Sequence, residues 1–324
     1  MWIRPQSNRQ AMRLSIFCAV LFALPATAQR SFDTDILKDT FGFDENTKKS
    51  VSLDDLHQGC PAIDCIPSID NPKYVSADDA THVADDDIVL AISWNGEQRA
   101  FPARILDHHE IVNDVIGGTP MAITWCPLCG SAVGVHRKIG GQVTEFSVSG
   151  LLYNSDLTFY DRATETIWDQ IEAKGIVGPL TGTKLKLIPV TITRWSKWKT
   201  VHPDTLILST DTGFEEDYTQ DHYAKYRQSD RIAFPIINSS SALQPKTVVY
   251  GFDISGQKIA FTEQLLTKNP TYEFELNDRP VSVSMADDGS VRLTDNESGE
   301  AYAPVRLYWF AWYTFHPETE LIED

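Results

Sequence analysis

Two cysteines stand two residues apart in "TWCPLCG" (Thr124 to Gly130), and a histidine opens "HEIVND" (His109 to Asp114) a short way upstream. Cys126 and Cys129 offer soft sulfur donors and His109 an imidazole, a set that suits Zn²⁺ or copper. The same dithiol at the N-terminus of a helix would suit thiol–disulfide exchange, because the helix lowers the thiol pKa. Here "SAVGVHRKIGGQVTEFSV" follows, which reads as a hairpin and not as a helix. Metal handling or metal-dependent chemistry is therefore the first reading. A thiol–disulfide oxidoreductase is the second, and a binding or scaffold protein with a purely structural site is the third.

The elements around these residues decide whether they can meet. "HEIVNDVIGGTPMAITWC" has the pattern of a hairpin with Gly117-Gly118 as its two-residue loop. Pairing outward from that loop sets Ile116 against Thr119, Glu110 against Trp125, and His109 against Cys126. Opposed side chains share a face at roughly 4.5–5.5 Å between Cβ atoms, so His109 is expected at the cysteines. A single bulge would put His108 there instead. Cys-Pro-x-Cys-Gly after a strand resembles the metal knuckle of rubredoxins and zinc ribbons, in which backbone N–H groups point at sulfur. Glu110 and His136 are the expected supporting residues, while Ser131, Tyr153 and Asp156 read as strand or turn residues. Cys60 and Cys65 flank four residues including Pro61, a loop that a disulfide can close.

Part of the chain repeats. "VLAISWNGEQRAFPARIL" from Val89 aligns with "VYGFDISGQKIAFTEQLL" from Val249, placing Gly96 on Gly256 and Ala100-Phe101 on Ala260-Phe261. "DRATETIW" (Asp161 to Trp168) aligns with "DNESGEAY" (Asp295 to Tyr302), and "WSKWKTVHPDT" (Trp195 to Thr205) with "WFAWYTFHPET" (Trp309 to Thr319). Collinear matches of this kind indicate two copies of one module. Shared residues are expected to serve the fold: Asp161 and Asp295 as turn caps, and the tryptophan pairs as a buried helix face. Cys126, Cys129 and His109 have no counterparts in the second copy, where Ala286, Gly289 and Asn269 stand.

The expected organisation is a signal peptide over residues 1–28, an N-terminal extension over 29–84, a first module over 85–210, an ordered linker over 211–247, and a second, shortened module over 248–324. Short runs rich in β-branched residues between glycine turns predict a mainly β, β-rich α+β fold. Only Pro102 to Leu106 and Trp195 to Val201 read as helices.

Arg4, Arg9 and Arg13 precede the apolar run Leu14 to Leu24 and the small-residue site ending at Ala28, the pattern of a secretory signal. No segment approaches the roughly 18 apolar residues of a spanning helix. Export to the periplasm or the extracellular space is expected, where disulfides persist. Removing residues 1–28 leaves 25 of the 28 basic residues against 45 acidic ones, a net charge of −20. So acidic a surface excludes nucleic acid as a partner. No nucleotide-binding loop or Ser-His-Asp order is present.

The stretches "IPSIDNPKYV", "HEIVND", "WCPLCGSAV", "GLLYNSDLTFYDRATETIWDQI", "GPLTG", "HPDTLILSTDTG" and "WFAWYTFHPETEL" resemble, in combination, a prokaryotic family known as domain of unknown function 3179. The resemblance implies that HEIVND and CPLC belong to one unit. It brings no reaction, substrate or partner.

Overall fold

The computed structural model describes residues 35–323. The expected signal peptide over 1–28 lies outside the described residues. The fold is mainly β, with small sheets arranged like a five-bladed propeller and a few short helices. No helix among the described residues is long and apolar enough to cross a membrane.

The blade that carries the cysteines runs in the order Leu187–Ile188, Ser131–His136, Thr119–Cys126, Ile111–Ile116. Its central hairpin turns at Gly117-Gly118, both with positive φ as a two-residue type I′ loop demands. Pairing follows the expected register from Ile116↔Thr119 through Ile111↔Thr124. A neighbouring five-stranded blade takes Leu56–Gln58, Phe146–Tyr153, Asp156–Asp161, Ile167–Asp169 and Lys174–Val177 in that order. The hairpin expected after the knuckle is interrupted. Gln142–Val143 belongs to a two-stranded ribbon with Lys138–Ile139, and the blade strand starts only at Phe146.

Two other blades share one order of connections. In the first, the hairpin Ile88–Trp94/Glu97–Pro102 is flanked by antiparallel Thr191–Arg194 and parallel Leu206–Leu208, with Tyr74–Ser76 at the edge. In the other, Val248–Ile254/Gln257–Thr262 is flanked by antiparallel Val305–Tyr308 and parallel Glu320–Ile322. The last blade is Thr271–Leu276, Arg279–Met285, Val291–Asp295 and Ala301–Tyr302. The helices Trp195–Val201 and Trp309–Phe315 leave equivalent strands and bury both of their tryptophans. Trp198 Nε1 donates to Thr205 Oγ1 (3.0 Å) and Trp312 Nε1 to Thr319 Oγ1 (2.8 Å). Asp161 and Asp295 each accept backbone N–H groups in their turns, as caps.

Cys126 and Cys129 lie in the largest core cluster, which also contains Phe146, Trp168, Val249, Leu307 and Trp309. Residues from both halves of the chain thus share one core with the knuckle, which shields it from water. Cys60 and Cys65 form a disulfide, with Cα atoms 6.2 Å apart.

Candidate metal centre

The Cys-x-x-Cys turn joins two paired strands, with Cys126 opposite Ser131. Gly130 closes it at φ +60°, against the Tyr308 ring; an added Cβ would come within 2.9 Å of that ring. Tyr308 N donates to Cys129 O (2.8 Å), which fixes the turn from the far side. Both cysteines are free thiols and buried.

The third group beside them is Asp156. A ligand atom from each of Cys126, Cys129 and Asp156 lies within 4.8 Å of the others, and all three residues are buried. Asp156 arrives through a second type I′ hairpin. Asn154 and Ser155, both with positive φ, turn Phe146–Tyr153 into Asp156–Asp161. The Cys129 thiol donates to Ser155 O (3.4 Å), and Asp156 Oδ2 accepts from Ile171 N (3.2 Å). Asp156 Oδ1 has no hydrogen-bond partner among the described residues.

His109 lies outside this cluster. Pairing ends with a last bond from Trp125 N to Glu110 O (2.7 Å), and Glu110 at φ +56° then turns the chain away. His109 Nδ1 faces Pro67 O (2.8 Å), which can only accept, so Nε2 accepts from Tyr218 Oη (2.6 Å). Both ring nitrogens are therefore used by the fold, and burial holds the imidazole below its ordinary pKa. His136, paired with Met121, sits at the other end of the strand from Cys126. The two ends are five residue steps apart along the strand, about 17 Å. Its ring packs on Trp94, so it does not support the sulfurs.

Glu110 does reach the site. Its side chain and Cys126 line one cavity of about 280 Å³, whose other walls include Leu128, Val148, Leu157, Tyr223 and Arg231. Burial pushes the Glu110 carboxyl up to about 8, with Asp107 and Asp156 adding to the rise. Burial also raises Asp156 and Asp169 well above the carboxylate range. The two thiols diverge. Burial pushes Cys129 far up, whereas polar contacts with the Cys129 side chain and neighbouring backbone N–H groups outweigh burial at Cys126 and lower it.

Residues 226 and 227 pack against the site. Tyr226 Oη donates to Leu128 O (3.0 Å), and Arg227 lies 3.5 Å from Asp107. Asp107 in turn accepts from Trp125 Nε1 (2.8 Å), holding the strand that ends in Cys126. Asp156 is the residue that sequence reasoning set aside. The Asn-Ser dipeptide before it is a hairpin-turn signal, but nothing local says which face of which sheet that turn meets.

The family model "Protein of unknown function (DUF3179)" matches residues 63–303, most of the chain, and the chain belongs to that family. No curated protein and no solved structure matches it.

Proposed function

We propose that this is an exported metal-binding protein that holds an ion between the sulfurs of Cys126 and Cys129 and a carboxylate oxygen of Asp156. The observation that carries the reading is that ligand atoms of Cys126, Cys129 and Asp156, all three buried, converge to within 4.8 Å of one another, with Asp156 Oδ1 making no hydrogen bond of ordinary geometry. A buried carboxylate oxygen without a partner is costly, and a cation would supply both partner and counter-charge. Of zinc and copper, the expected metals, the hard carboxylate beside two sulfurs favours Zn²⁺. Three protein ligands leave one position free, the pattern of catalytic zinc sites and not of closed structural ones.

Bound there, Zn²⁺ would act as a Lewis acid or lower the pKa of a bound water. Glu110 faces the adjoining cavity with a carboxyl that titrates near 8, placed to take or release a proton there. The cavity walls are mostly apolar, and Arg231 offers the cavity a positive charge. Export is supported by the basic-apolar-small pattern of residues 1–28 and by the Cys60–Cys65 disulfide. The two blades with one order of connections support two diverged copies of one module, of which only the first carries the cysteines.

One observation favours thiol–disulfide exchange as a second reading. Cys126 lines the cavity while Cys129 does not, the placement of an attacking and a resolving thiol. Metal analysis with a free-thiol count on the full chain separates the two. Zinc that disappears in Cys126→Ser and Asp156→Asn, with both thiols reduced, supports the metal reading. A Cys126–Cys129 disulfide in metal-free protein overturns it in favour of exchange.

A further inference from the structure

A second group of potential ligands lies on the opposite side of Glu110 in the chain. His108 is held at the end of the turn after helix Ala103–Leu106, and its side chain is only 7% exposed. Its Nδ1 lies 3.4 Å from a carboxylate oxygen of Glu216. Its Nε2 is buried and has no hydrogen-bond partner among the described residues. Next to this ring, at 4.9 Å between centroids, stands the ring of the exposed His222. Tyr218 packs edge-on at 5.3 Å and holds His109, so the neighbouring histidine is not free to join.

A buried imidazole with an idle nitrogen is unusual, because buried polar atoms are nearly always bonded. The arrangement around His108 is that of a metal-ligating histidine. One nitrogen faces a carboxylate oxygen at 3.4 Å, and the other is buried without a partner among the described residues. A second imidazole ring stands 4.9 Å away, centroid to centroid. We propose that His108 Nε2 and His222 bind a second, borderline divalent cation such as Zn²⁺, with Glu216 orienting His108 and water completing the coordination. The first site does not enter this argument, since none of its ligands is shared.

The site has a structural consequence. His222 belongs to the segment that also places Tyr223 on the cavity wall and Tyr226 on the Leu128 carbonyl. An ion joining His222 to His108 ties that segment to the turn carrying Glu110. It therefore holds the cover over the cavity closed.

Co²⁺ titration of the full-length Cys126→Ser/Cys129→Ser variant tests the proposal, because only sulfur ligation gives an intense near-ultraviolet charge-transfer band. The variant is expected to bind one Co²⁺ without that band and to lose it in His222→Ala, an exposed change that leaves the fold intact. Glu216→Gln is expected to weaken Co²⁺ by about 10- to 100-fold. Failure of the double-serine variant to bind Co²⁺, or binding that survives His222→Ala, overturns the proposal. Wild-type protein that binds one His222-dependent Co²⁺ and shows no charge-transfer band overturns the cysteine site and leaves this one standing.

Discussion

The Cys129 thiol donates to the carbonyl of Ser155 at 3.4 Å, and Ser155 is the left-handed residue that delivers Asp156 to the two sulfurs. One hairpin tip is thus pinned to one knuckle. Two segments far apart in the chain form a single donor set because a turn on each has positive φ at the right residue.

Asp156→Asn keeps the shape of the side chain and removes its charge. Zinc affinity is expected to fall by more than about 100-fold, beyond what loss of an outer partner costs. The metal-free protein is expected to be as stable as the wild type or slightly more so, because an unsatisfied buried oxygen costs about 1–3 kcal/mol. Metal titration and chemical denaturation measure the two effects. A metal-free variant clearly less stable than wild type would make Asp156 a structural residue.

Glu110 gives the metal-free protein a pH dependence of definite sign. Its folded-state pKa, about 8, lies above the ordinary 4.5. Its contribution to stability is then fully present below about 4.5 and is lost as pH rises through about 8. Stability should decline across that window by on the order of a few kcal/mol. Glu110→Gln is expected to flatten the decline, read as the slope of unfolding free energy against pH in chelator-treated protein. An unchanged slope would place the titration on another group.

Much of the cysteine blade is legible in the sequence, because Gly117-Gly118 fixes both the turn and the register out to Ile111↔Thr124. The count fails one step later, at Glu110, where a non-glycine residue takes a left-handed conformation that no pattern announces. His109, expected at the sulfurs, is thereby spent on Pro67 and Tyr218. Asp156 was illegible for a different reason. Its turn is local and readable, but its approach to the knuckle depends on how two sheets pack, which periodicity does not encode. The tryptophan helices were readable because their 3.6-residue spacing survives in both stretches.

Trp195→Ala should destabilise the protein far more than Cys126→Ser. Trp195 is 1% exposed and packs beneath the first hairpin with Trp198. Removing so large a buried side chain costs about 3–5 kcal/mol. Serine at 126 nearly preserves the volume and removes only a thiol. Denaturation midpoints of the metal-free variants should separate clearly; equal losses would mean that the knuckle mainly holds the fold together.

Removing the Cys60–Cys65 disulfide should cost stability without emptying the cysteine site. The bond closes a short loop, sequence separation 5, so the entropy it removes from the unfolded chain amounts to about 2 kcal/mol. Cys60 lines the same cavity as Cys126 and Glu110 but is not a member of the Cys126/Cys129/Asp156 cluster. The Cys60→Ala/Cys65→Ala variant is therefore expected to unfold at lower denaturant concentration yet bind zinc with wild-type stoichiometry. Mild reduction of the wild type should do the same, since the Cys126 and Cys129 thiols are already free. Loss of zinc in the double-alanine variant would mean that the loop shapes the knuckle through the shared cavity. A Cys126–Cys129 disulfide found in the isolated, metal-free protein would instead favour the exchange reading.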